Sequence, residues 1–284
     1  MNPSMPTPTF SHVMLAADLE KTSEPVWAHA LRVCLNTPGR LSVVHARALN
    51  NPHSWTDVPT PRELLTRWGV VREDRALRDF EALGVHVHLH ALHALDPRSR
   101  IPALVAADNP DLLVLGTHRR HGLERLMYGS VGETLSRNAP HAALVVPDGV
   151  RPIVHTDTGV ARLGRILVPI GGGPHQQRSV EAAMRLARSM KSPMTELILM
   201  RVGDVAPLNA ITQPVGPEFT CRRVIHEDGP PVGRILQTAT EWEVDAICMV
   251  THGHDSLGDA LFGSRTDRVI RESNCPVLVV PVIR

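Results

Sequence analysis

The sequence predicts an α/β protein built from two doubly wound domains in tandem. Three observations predict it. The segment Asp111–Pro147 recurs as Asp245–Pro281 without a gap, at an offset of 134 (245 − 111). Short runs rich in Val, Ile and Leu alternate with stretches of helical period, the pattern of a parallel sheet with helices on its faces. The chain has 284 residues, enough for two domains at roughly 150 residues each.

The repeat pairs Asp111 with Asp245, Thr117-His118 with Thr251-His252, and Leu123 with Leu257. It also pairs Gly129-Ser130 with Gly263-Ser264, and Leu144–Pro147 with Leu278–Pro281. So many matches in one gapless run indicate internal duplication. The starts of the halves match more loosely, His12–Asp18 (HVMLAAD) against Arg165–Gly171 (RILVPIG).

In the first half, strands are expected at Val13–Ala17, Leu41–Ala46, Val85–Leu92, Leu112–Gly116 and Ala143–Val146, each a short apolar or alternating run. Helices are expected at Glu24–Leu35, Pro61–Leu83, Arg98–Ala107 and Ser130–Asn138. Asp96-Pro97 marks the start of the third and Gly129-Ser130 that of the fourth. The second helix is long and amphipathic through Leu64, Leu65, Trp68, Val71, Leu77 and Phe80.

In the second half, strands are expected at Ile166–Ile170, Glu196–Val202, Cys221–His226, Ala246–Val250 and Val277–Val280. Helices are expected at Gln176–Met190, Pro231–Glu241 and Ser264–Glu272. Gly203–Thr220 is rich in Pro and Gly without helical period, so the counterpart of the long second helix is expected to be missing or vestigial. The polar, turn-rich stretch between the copies reads as a linker, which sets domains at residues 1–148 and 164–284 with 149–163 between them.

Hydrophobic residues make up 43% and charged residues 21%, an ordinary globular composition. The net charge of +1 argues against a surface tuned for nucleic acid or anionic lipid. Only 3% of residues are aromatic, too few for a base-stacking platform. No apolar stretch nears the ~20 residues that span a bilayer. The start of the chain lacks a basic region followed by an apolar run, so neither a secretory leader nor a membrane partner is expected and a cytoplasmic setting is. Cys34, Cys221, Cys248 and Cys275 form no C-x-x-C pair and read as reduced thiols.

In open parallel sheets, ligands sit beyond the carboxyl ends of the strands, where the connections diverge. Asp18 follows the first strand; Gly116-Thr117-His118-Arg119 follows the fourth, with Gly129-Ser130-Val131 nine residues further on. A Gly-Ser pair opening a helix offers unpaired N–H groups, a hydroxyl and room for a close anion. An Asp at the neighbouring strand end can accept hydrogen bonds from ribose. Either element alone is better read as a cap or a turn; together at adjacent strand ends they favour a ligand site.

These features resemble the universal stress protein family, whose signature is G-x2-G-x9-G-[ST] followed by a helix and a Pro-x-Leu-Val-Val strand. The resemblance covers both halves. It implies a sheet of order 3-2-1-4-5 in each domain, pairing of the fifth strands between domains as a pseudo-dimer, and homodimers as a further assembly. It implies binding of ATP or another adenine nucleotide, with Mg²⁺ as its companion. In the first half it assigns Asp18 to ribose and adenine, Ala46 to a backbone contact with adenine, and Gly116, Gly129, Ser130 and Val131 to the phosphates. Arg119 stands where the second signature glycine would be, in a cationic loop with His118, Arg120 and His121.

The second copy departs further. Val250 replaces the first glycine, Arg265 follows Ser264, and Gly171 replaces the Asp, within Gly171-Gly172-Gly173-Pro174. That site is expected to be degenerate. His86, His88 and His90 alternate along the third strand; an edge-strand face is the ordinary reading, and no metal site is expected. No Ser-His-Asp order, zincin motif or kinase signature occurs, so no catalytic residues are assigned and a slow ATPase is the least favoured activity. The expectation is a stress-response regulatory protein that binds an adenine nucleotide in its first domain and acts on protein partners. The alternative is a nucleotide-free scaffold of the same fold.

Overall fold

The structure is a computed structural model that describes residues 9–16, 24–37, 39–47, 61–71, 83, 85–93, 97–117, 141–214, 216–251 and 264–282. The first half contributes β1 (His12–Ala16), α1 (Glu24–Asn36), β2 (Gly39–Arg47), α2 (Pro61–Arg67), β3 (Val85–His93), α3 (Pro97–Asp108), β4 (Leu112–Thr117) and β5 (Ala142–Pro147). The second contributes β6 (Arg165–Pro169), α4 (Gln177–Ser189), β7 (Thr195–Val202), α5 (Ala206–Asn209), β8 (Phe219–His226), α6 (Pro231–Glu241), β9 (Ala246–Thr251), α7 (Ser264–Glu272) and β10 (Val277–Pro281). The helix expected over Ser130–Asn138 lies outside the described residues.

The ten strands of the described residues join one sheet in the order β3-β2-β1-β4-β5-β10-β9-β6-β7-β8. Each half therefore reads 3-2-1-4-5, with β5 and β10 meeting in the middle. Pairing is parallel within each half. It turns antiparallel at the junction, where Val277 faces Val145, Leu278 faces Leu144 and Val279 faces Ala143. Two edges that would otherwise expose unpaired N–H and C=O groups satisfy each other there.

Strand alternation splits the core into two layers. Leu112, Val114, Leu144, Val146, Cys248 and Leu278 face one way, onto α1 and α4. Leu113, Leu115, Val145, Ile247, Val277 and Val279 face the other, onto α3, α6 and α7. Helix α1 is buried almost all round because it is wedged between the sheet and the second half. Trp27, Leu31 and Val33 are at most 1% exposed, and Asn36 Nδ2 donates to Ser189 O on α4 at 2.9 Å.

The repeated Asp has the same structural work in both copies. Asp111 accepts the N–H groups of Ser11 (2.9 Å) and His12 (3.0 Å), and Asp245 those of Gly164 (2.8 Å) and Arg165 (2.9 Å). Each carboxylate ties the start of its half's first strand to the start of the fourth. Arg185 of α4 also donates to Asp111 at 2.7 Å, which locks the first half to the second.

Two expectations change. The long helix from Pro61 stops at Arg67. Gly69 adopts φ +69°, Val70 N–H bonds Leu65 O at 2.9 Å and Gly69 N–H bonds Thr66 O at 2.9 Å. This is a Schellman stop, which glycine makes cheap and apolar periodicity cannot reveal; residues 72–82 lie outside the described set. The connection after β5 is also no bare tether, because Ile153, Val154 and Leu163 are at most 2% exposed and belong to the core. In the second half, the four-residue α5 is the helix between β7 and β8 among the described residues.

Candidate functional site

In each half, the first and fourth strands are parallel neighbours, and in the second half the helices that follow them, α4 and α7, pack on opposite faces of the sheet. In the first half Ala16 lies level with Val44 of β2 and Leu115 of β4. The backbone at Ala46 and Gly116 therefore reaches the same end of the sheet as the last residue of β1. Asp18, Arg119, Gly129, Ser130 and Val131 lie outside the described residues, as do His118, Arg120 and His121. Gly116 has a packing reason to be glycine, since a Cβ there would come within 2.9 Å of Val26 Cγ2 on α1.

The matching end of the second half holds a cavity of about 440 Å³. Its floor is the carboxyl ends of β6, β7 and β9. Gly171–Gly173 line one side, and Val232, Ile235, Arg265 and Thr266 of α6 and α7 the other. The position of Asp18 is taken by Gly171, whose N–H donates to Gln176 Oε1 at 2.8 Å. The turn thus closes on its own side chain. Among the described residues no Asp or Glu lines this cavity, and Gly171 offers no side-chain acceptor for ribose hydroxyls where the first copy has Asp18. Gly253 and Gly263 lie outside the described residues, as do His252 and His254, and of Ser264 only the backbone is described.

Arg201 is a site residue that the sequence did not single out. It ends the apolar run of β7, where it reads as an outward strand position. Its Nη1 donates to Ile170 O at 3.0 Å and its Nε to Asp204 O at 2.6 Å. The guanidinium is thereby clamped across the mouth of the crevice. A cation at the carboxyl end of a buried strand was the available signal.

The cysteines are unpaired. Burial pushes the thiols of Cys34 and Cys275 up to about 12 and raises that of Cys248 as well, so they are held as thiols and not as nucleophiles. Among the described residues, no group of three or more His, Cys, Asp or Glu is placed to hold a metal. The backbone of His86, His88 and His90 lies on β3, a strand with β2 on one side only, but their side chains are outside the description. No described helix is long and apolar enough to cross a membrane.

A family profile described as the universal stress protein family matches residues 9–147 and 206–281. The second match omits β6, α4 and β7, the stretch where Gly171 and Arg201 depart from the first copy. A universal stress protein of Mycobacterium tuberculosis is 25% identical over 284 residues, which covers 92% of this chain and 93% of that one. A universal stress protein of Methanocaldococcus jannaschii is 46% identical over 52 residues, 18% of this chain and 32% of that one. The crystal structure of a universal stress protein from Archaeoglobus fulgidus superposes with a TM-score of 0.59 at 18% identity, covering 97% of this chain and 98% of that one. With a matching profile over most of its length and the duplicated doubly wound sheet, the chain belongs to the universal stress protein family, as a tandem member.

Proposed function

We propose that this protein is a stress-response regulator of the cytoplasm that binds an adenine nucleotide, ATP foremost, in its first half. The observation that carries the reading is the parallel pairing of β1 with β2 and β4 at the carboxyl end of the first-half sheet. There Ala16 lies level with Val44 and Leu115, so Ala46 and Gly116, two residues and one residue further on, sit at the same end of the sheet, the end where a doubly wound sheet receives nucleotides. In this reading Asp18 holds the ribose and Ala46 meets adenine through its backbone. Gly116, Gly129, Ser130 and Val131 receive the phosphates and any Mg²⁺ that accompanies them, and Arg119 adds positive charge beside them. Residues 1–148 form the nucleotide-binding domain, 149–163 the connection, and 164–284 the second domain.

Mass spectrometry of nucleotide released from the purified protein tests the reading. Titration calorimetry should then count one ATP per chain, and two equal sites would overturn it. Gly129→Val should abolish binding while leaving the thermal midpoint near that of the parent. A branched side chain there fills the space a phosphate needs. Protein that carries no nucleotide and takes up none would instead support the scaffold reading, which Gly171 and Val250 favour for the second half.

A further inference from the structure

We infer that the second-half cavity is a separate site for a phosphate monoester with an apolar body and no ribose. The charge of its described lining points to an anion: Arg201 and Arg265 line it, and among the described residues no carboxylate does. A cavity of about 440 Å³ falls within the range of small-molecule sites, roughly 300–1,000 Å³.

Arg201 is already oriented for the role. Its Nε and Nη1 are spent on Asp204 O and Ile170 O, which fixes the guanidinium plane and leaves Nη2 over the Gly172 turn. An anion that meets it therefore finds a donor whose side-chain entropy is largely lost already. The backbone N–H groups of Gly172 and Gly173 make no hydrogen bond among the described residues, so they add two donors on the same side. Two guanidiniums and two amides exceed what a carboxylate's two oxygens use well and suit the three oxygens of a phosphate monoester.

Gln176, Thr251 and Thr266 add polar groups to the wall, and most of the other lining side chains are apolar. Met200, Val202, Ile235 and Met249 face the cavity and offer nothing to a sugar. Gly171 has removed the carboxylate that a ribose diol would need, and the nearest carboxamide oxygen, Gln176 Oε1, is occupied by Gly171 N–H. Buried hydroxyls without acceptors are unfavourable, so the loss of that carboxylate weighs against a ribose, and the four apolar side chains favour a hydrocarbon. The inference is independent of nucleotide binding in the first half.

Titration calorimetry on the full chain with hexyl phosphate tests it, with inorganic phosphate and hexan-1-ol as probes of each part alone. One hexyl phosphate should bind per chain, at least tenfold more tightly than either part, and saturating ATP should leave that affinity unchanged. Arg265 is exposed and makes no ion pair among the described residues, so Arg265→Met should fold normally and weaken binding tenfold or more. Arg201→Met should do the same or worse. The inference is overturned if hexyl phosphate does not bind, or if either part binds as tightly as the whole. It is equally overturned if ATP displaces the probe, or if Arg265→Met binds like the parent.

Discussion

His29 is fully buried on α1, and its ring has a partner on each nitrogen. Ile153 N–H donates to Nε2 at 3.0 Å, so the proton sits on Nδ1 and is donated to Pro25 O at 2.5 Å. Burial lowers its pKa from 6.5 to about 4, with the Pro25 bond pulling weakly the other way. Between those values the unfolded chain binds a proton that the native ring refuses. The contribution is thus complete above about pH 6.5 and is lost as pH falls towards 4, by up to about 3 kcal/mol. His29→Gln should flatten this part of the acid limb in urea melts taken across that range. A parent-like slope would show that another group carries it. Gly159 is the second sensitive residue. It has φ +66°, and a Cβ would lie 2.4–2.9 Å from the Trp68 ring, whose Nε1 donates to Thr156 O. Gly159→Ala combines strained backbone with overpacking and should destabilise by about 2–4 kcal/mol in denaturant titrations.

Elements are tied to one another by buried polar groups at their ends. Ser189, at the last turn of α4, accepts the Phe10 N–H at 2.9 Å and donates to Arg185 O at 2.8 Å. Ser189→Ala would strand the Phe10 N–H in a buried site and should lower stability by about 1–3 kcal/mol. Hydrogen exchange should show that loss at residues 9–16 as well as in α4. An effect confined to α4 would show that the contact does not hold the start of β1. The strands themselves were legible from apolar runs and the helices from their period, because both patterns report which face is buried. The end of α2 at Arg67 was not, since Leu64, Leu65, Trp68 and Val71 keep an apolar period past the point where Gly69 turns the chain. Only backbone φ distinguishes the two.

The two halves share one sheet and both core layers run across both, so they should unfold together. Calorimetry should give a single transition with matching calorimetric and van't Hoff enthalpies, and two resolved transitions would refute the coupling. Val279→Pro removes a backbone N–H from β10, which stands between β5 and β9, and should split or sharply weaken that transition. The duplication explains why the junction is antiparallel: two like edges related by a pseudo-twofold axis can pair only in that sense.

The duplication, the ten strands and the family resemblance follow from local pattern: gapless repetition, apolar periodicity and glycine spacing are properties of neighbouring residues. So do the departures of the second copy, because Gly171 and Val250 are visible as substitutions in a repeat. Which residues close over the second crevice is a matter of tertiary structure. Arg201 and Gln176 are far from Arg265 along the chain, and only the parallel register of β6, β7 and β9 sets them round one cavity. The same holds for Asp111. Its repetition was plain in the sequence, but its bond to Arg185 of the other half exists only because β5 and β10 pair and lay α4 beside α1. Long-range contacts of this kind depend on where the chain returns, and no local period encodes that.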